Sequence, residues 1–279
     1  MRALIVILLA SARSATAFAA APTARVYELL RVSGLDAQLN ALPDVVAQGI
    51  EQGIARSGQR IPTRHIDALV NQARMDYEPT SLRQTLLDSL GTLNSEQVAA
   101  NVSWLESDFG QQITAAEVVS GTPDGVTAMQ RYLQTVQSQG PSPERVARMD
   151  ALDHAIRATE RTLSMQRNAV LSMMVAANAM APESMQRSFP ELNAIADRLI
   201  NKAAEQQMSV YTSLAMAFTY RELSDDVIDA YIDHLSTPAG RAYSNAVFDG
   251  LEQAMFNASA RYGQSLVKVF TAMATESTS

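Results

Sequence analysis

The chain contains no cysteine. That excludes disulfides, thiolate metal sites and cysteine nucleophiles together. Histidine is scarce: His65, His154 and His234 are the whole set, and they lie far apart, so a multi-histidine metal centre is not expected. Basic residues are outnumbered, 22 against 29 acidic, for a formal net charge of −7. A protein that grips nucleic acid through its phosphates needs the opposite balance. Only 12 glycines and 10 prolines interrupt 279 residues, and no alternating run of β-branched and aromatic residues signals a strand. After the amino-terminal segment, the longest apolar run is Ala169 to Ala181. It carries Ser172 and Asn178, stops at Pro182, and falls short of the roughly 20 residues a membrane span needs. The motifs G-x-S-x-G, G-x-G-x-x-G, H-E-x-x-H and the P-loop are all missing. No cofactor and no catalytic, cofactor-binding or metal-ligating residue set is therefore expected.

What is present favours helices. Hydrophobic residues make up 47% and charged residues 18%, enough apolar material for a core. Ala, Leu, Met, Gln and Arg, all strong helix formers, are abundant. Met1-Arg2, the apolar run Ala3 to Ala10, and Ala17-Phe18-Ala19 before Ala20 form the three-part pattern of a secretory signal peptide. The expectation is a leader over residues 1–19, cleaved after Ala19, and a periplasmic mature protein. Gly34 reads as the glycine after a helix ending near Val32. Thr80 is expected to open a helix with Leu82, Leu86 and Leu90 on one face and Gly91 at its end. Ser142-Pro143 reads as an N-cap followed by Pro at the first helical position. From there to Ala181 nothing breaks the pattern, so either one long helix or two with an unlocated break is expected. The segment Ser138 to Pro143 is the one linker, dividing the chain into units of 20–139 and 140–279.

An internal repeat with a period of about 130 residues links these units. Leu93-Asn94-Ser95-Glu96-Gln97-Val98 returns as Leu223-Ser224-Asp225-Asp226-Val227-Ile228, and Ser107-Asp108-Phe109-Gly110 as Thr237-Pro238-Ala239-Gly240. Each copy reads as a helix capped by Asn94 or Ser224, then a tight turn into a second helix capped by Ser107 or Thr237. Val227, Ile228, Tyr231, Ile232 and Leu235 make an apolar stripe. Gly110 and Gly240 fall at the third position of the second helix, where glycine costs about 1 kcal/mol against alanine. Close approach of the preceding helix is the expected compensation. Helices from Pro143 and Pro190 onward look long enough to cross between the units.

The second copy, Leu223 to Tyr243, resembles a bacterial envelope family known only as domain of unknown function 2059. The first copy is more diverged, with Asp108 at the proline position, and Tyr27 to Leu35 resembles the family's opening helix. The resemblance implies an exported all-α domain and no known reaction. The expected fold is thus an all-α helical bundle of two related repeats.

Chemistry-bearing residues give weak signals. Asp150 and His154 share a helix face at one turn's spacing. Ser265 and Lys268 match S-x-x-K without its companion motifs. Asp225, Asp229 and Asp233 form an acidic stripe, read as a solvated face rather than a cation site. Asn101-Val102-Ser103 and Asn257-Ala258-Ser259 are glycosylation-type triplets, without meaning in a bacterial protein. The 13 methionines, Met165, Met173, Met174, Met180 and Met185 among them, read chiefly as core filler. The leading expectation is a non-enzymatic envelope protein acting through an unknown protein partner or as a structural accessory. The alternatives are a carrier of an apolar small molecule or lipid, and a hydrolase with an unfamiliar site.

Overall fold

In a computed structural model the chain is an all-α helical bundle, with no strand among the described residues, which are 23–58, 61–178, 183–199 and 202–276. The leader over residues 1–19, together with Met180 and Pro182, lies outside them. The helices run α1 (Thr23–Val32), α2 (Leu35–Ser57), α3 (Thr63–Asp76), α4 (Pro79–Leu90), α5 (Ser95–Leu105), α6 (Asp108–Ser120) and α7 (Pro123–Gln139). There follow α8 (Pro143–Ile156), α9 (Ala158–Asn178), a 3₁₀ turn (Glu183–Met185), α10 (Phe189–Leu199), α11 (Lys202–Thr219), α12 (Asp225–Ser236) and α13 (Pro238–Glu276). Among the described residues no helix is long and apolar enough to cross a membrane.

Local chemistry sets most helix ends. Asn94 and Gln97 form a reciprocal capping box at the start of α5, with both bonds at 2.9 Å. Ser107, Thr122, Ser142 and Thr237 each accept from the backbone N–H three residues on. Helix α4 starts one residue before Thr80, at Pro79. Glu78 caps it, its carboxylate accepting from Thr80 and Ser81 at 2.9 and 2.7 Å. Ser224, expected to cap α12, has the extended backbone of a cap but makes no side-chain bond there. Asp225 and Asp226 supply the favourable charge in that first turn instead. Gly34 takes the left-handed conformation at φ 72°. Its missing Cβ also makes room for Val118 and Thr114 of α6.

The break after Pro143 falls at Arg157, whose φ of 55° is the only positive value at a non-glycine position among the described residues. Asp153 holds it in place. Its carboxylate accepts from the Thr159 N–H at 2.7 Å and the Thr159 hydroxyl at 2.6 Å, capping α9, while its main-chain oxygen takes the Arg157 N–H.

Two cores interlock. The first joins Leu29, Leu30, Leu82, Leu86, Leu90 and Val98 of the amino-terminal helices to Ala246, Ala254, Ala258 and Tyr262 of α13. The second joins Met149, Leu152, Ala217, Val227, Ile228 and Leu235 to Ile113 of α6. Each core therefore draws on both sides of the 139/140 junction, and the crossing helices are α6 and α13. Helix α10, the one at Pro190, is short and stays on α9. The packing is reciprocal: α5 lies on α13 and α12 lies on α6. Trp104 touches both cores.

The two tight turns explain their glycines. A Cβ on Gly240 would press into the His234 carbonyl, 2.8 Å from its carbon, and sit 2.9 Å from the Leu235 Cα. On Gly110 it would press into the Trp104 carbonyl oxygen and sit 2.6 Å from the Leu105 Cα. The expected close approach is thus made by backbone, which cannot swing aside as a side chain can. Gly125, after Thr122-Pro123-Asp124, repeats the geometry against Val119 and Ser120.

Candidate functional site

Crossing α6 into the second core brings Glu117 between the halves. Its neighbours are tyrosines from elements far away in sequence. Tyr220 and Tyr231 both donate to the same carboxylate oxygen, Oε1, at 2.7 and 3.1 Å. Among the described residues, Oε2 accepts no hydrogen bond and no basic side chain forms an ion pair with Glu117. Burial pushes the carboxyl above the usual range, and the two tyrosine bonds counter this only in part. Burial, then the nearby carboxylate, push both phenols well above theirs.

Beside this carboxyl lies a cavity of about 380 Å³, within the range of small-molecule sites. Glu117, Tyr220, Tyr231 and Tyr243 share its polar wall with Ser33, Gln38, Ser120, Thr219 and Ser244; Leu35, Ile156, Leu235, Val247 and Leu251 provide much of its apolar wall. Glu117 lines this space and retains intermediate exposure, although protein crowds its carboxyl. Among the described residues it is the single charged one in the lining.

Tyr231 connects the cavity to a buried polar knot. Its ring stacks on Trp104 at 5.2 Å, and Trp104 stacks on His234 at 4.4 Å. Asn101, fully buried, donates through Nδ2 to the main-chain oxygens of Gln97 and Ala239 at 2.7 and 3.0 Å. Its Oδ1 must therefore accept from His234 Nε2, 2.9 Å away, which assigns the neutral tautomer protonated at Nε2. Burial lowers the His234 pKa to about 4. One of Asn101's three side-chain bonds returns to its own helix at Gln97, and the other two join α5 to the end of α12 and the start of α13.

Two other hollows are chemically plainer. One of about 460 Å³ lies between α9, α10 and α11, lined by Leu163, Val170, Ala196, Met208 and Tyr211. Arg167 at its edge is already bonded to Asp197 and Asn193. The other, about 450 Å³ and polar, surrounds the Asp153–Thr159 break.

The residues singled out in the sequence do not assemble into sites. Asp150 and His154 are both exposed and form no bond with each other. Ser265 accepts from Gln72 at 3.0 Å rather than pairing with Lys268, which is exposed. Two of the three acids in the stripe are paired. Asp225 pairs with Arg145 and Arg148, Asp229 with Arg148, and Asp233 stays exposed. No cluster able to hold a metal occurs among the described residues. The methionines divide: Met149 is fully buried, Met216 packs on the second core and Met174 on a small separate cluster of Leu171, Leu192 and Ala196, whereas Met173 and Met185 are exposed. Glu117 gives no sequence signal. It sits in Ala-Ala-Glu-Val-Val, where a glutamate ordinarily faces water. Comparison with family models, with curated proteins and with solved structures returned no match for this chain.

Proposed function

We propose that this is an exported, non-enzymatic binding protein that carries a small, mostly apolar ligand in the cavity between its halves. The observation that carries the reading is Glu117: a crowded carboxyl with one oxygen held by two tyrosines, set in the lining of a cavity of mixed polar and apolar residues. A purely structural interior favours either full satisfaction of such a group or an apolar residue in its place. No serine or threonine of the cavity is bonded to Glu117, so the pairing of nucleophile and base that a hydrolase needs finds no support. Export rests on the leader pattern at residues 1–19, and kinship to family 2059 on the Leu223–Tyr243 segment.

Duplication is part of the proposal. Its support is the matched turns at Gly110 and Gly240, the reciprocal packing of α5 on α13 and α12 on α6, and a left-handed break after each half's first helix, at Gly34 and Arg157. A fused pair of interlocked halves has an interface cavity as a natural ligand site.

The test is native mass spectrometry on protein purified gently from its own cell envelope. A retained extra mass, lost in a folded Ser120→Trp variant that fills the cavity, is the expected result. A bare polypeptide mass for the wild type overturns the carrier reading.

A further inference from the structure

Resting on the cavity reading, we propose that the ligand is an amine, its ammonium group seated on Glu117 Oε2 and its apolar body along Leu35, Val247 and Leu251. Among the described residues, the cavity wall holds one charge, a negative one, and no lysine, arginine or histidine. An anionic ligand would be repelled at close range in a low-dielectric site. A neutral ligand would offer no countercharge to the ionised form of Glu117, which burial already disfavours. An ammonium group supplies that countercharge together with N–H donors for the oxygen that has none. Tyr220 and Tyr231 occupy Oε1, so they fix the carboxylate and leave Oε2 to the ligand. Tyrosine rings around the head add attraction for a cation. Glu117 is thus a ligand-binding residue, and the two tyrosines are positioning residues.

The protein carries its own reporter. Trp104 is the sole tryptophan, and it stacks on Tyr231, which lines the cavity. The experiment titrates the full chain at pH 7.5 with n-hexylammonium, n-hexanol and hexanoate, following Trp104 fluorescence, and repeats this with Glu117→Gln. The amide retains an oxygen for both tyrosine hydroxyls, and circular dichroism verifies the fold. The expected result is saturable binding of hexylammonium at least about tenfold tighter than hexanol, no response to hexanoate, and a hexylammonium affinity reduced to the hexanol level in Glu117→Gln. Equal affinities for hexanol and hexylammonium in the wild type, or an unchanged hexylammonium affinity in the variant, overturn the amine assignment and leave the cavity reading standing. A fluorescence signal that none of the three probes moves overturns both.

Discussion

Gly240→Ala adds one methyl group at the turn between α12 and α13. The new Cβ would press into the His234 carbonyl, 2.8 Å from the carbonyl carbon and 2.9 Å from the Leu235 Cα. Ordinary carbon contacts lie near 3.5–4.0 Å, so the backbone must open by roughly half an ångström or more. Overpacking of this kind costs about 1–3 kcal/mol, and a rigid backbone neighbour favours the upper end. Alanine recovers up to about 1 kcal/mol of helix propensity. The net is a loss of about 2 kcal/mol. The turn holds Asn101 through the Ala239 oxygen and α13 enters the first core, so the strain reaches both halves. At about 2–4 °C per kcal/mol for a chain of this size, the melting temperature should fall by about 4–8 °C. Gly53→Ala in α2 is the control. Nothing lies within 4 Å of its Cβ position, so only propensity acts and the variant should gain up to about 1 kcal/mol. Thermal melts followed by circular dichroism compare the two. A Gly240→Ala melt at or above that of the wild type would refute the claim that the turn excludes a side chain.

Two pH-linked predictions follow from the buried groups. His234 is neutral in the folded state down to about pH 4 but titrates near 6.5 when unfolded. The unfolded chain binds the extra proton, so this contribution to stability is lost as pH falls from about 6.5 to 4. Discounted for partial solvent contact, it amounts to about 1–2 kcal/mol. His234→Gln should show a shallower fall in melting temperature over that window, and parallel curves for the two proteins would contradict the assignment. Glu117 has the opposite sign. Its raised folded pKa disfavours the charged form, so the folded state is penalised as pH rises above about 4.5, the ordinary glutamate value. Glu117→Gln should therefore melt higher than the wild type at pH 7, with the advantage disappearing below pH 4.5. Equal or lower melting at pH 7 would show that the tyrosine bonds outweigh desolvation.

Short-range chemistry made much of the fold legible. Ser142-Pro143 and Asn94 announced helix starts because caps act within three residues. Gly34 marked a left-handed exit for the same local reason. Leu82, Leu86 and Leu90 named a buried face, and all three are buried. The break at Arg157 was invisible, since no glycine or proline marks it and an aspartate four residues earlier stabilises it. The arginine partners of Asp225 and Asp229 were equally hidden, lying some 80 residues away on α8.

The sequence alone therefore determined helix content, most caps, and the two glycine turns, because propensity, capping and periodicity depend on neighbours along the chain. Only the tertiary structure decided that α6 and α13 cross into opposite cores. That crossing buries Glu117 against tyrosines more than 100 residues away and opens a cavity beside it. A glutamate's charge is costly or harmless according to what surrounds it, and its surroundings are set by long-range packing that no local pattern encodes.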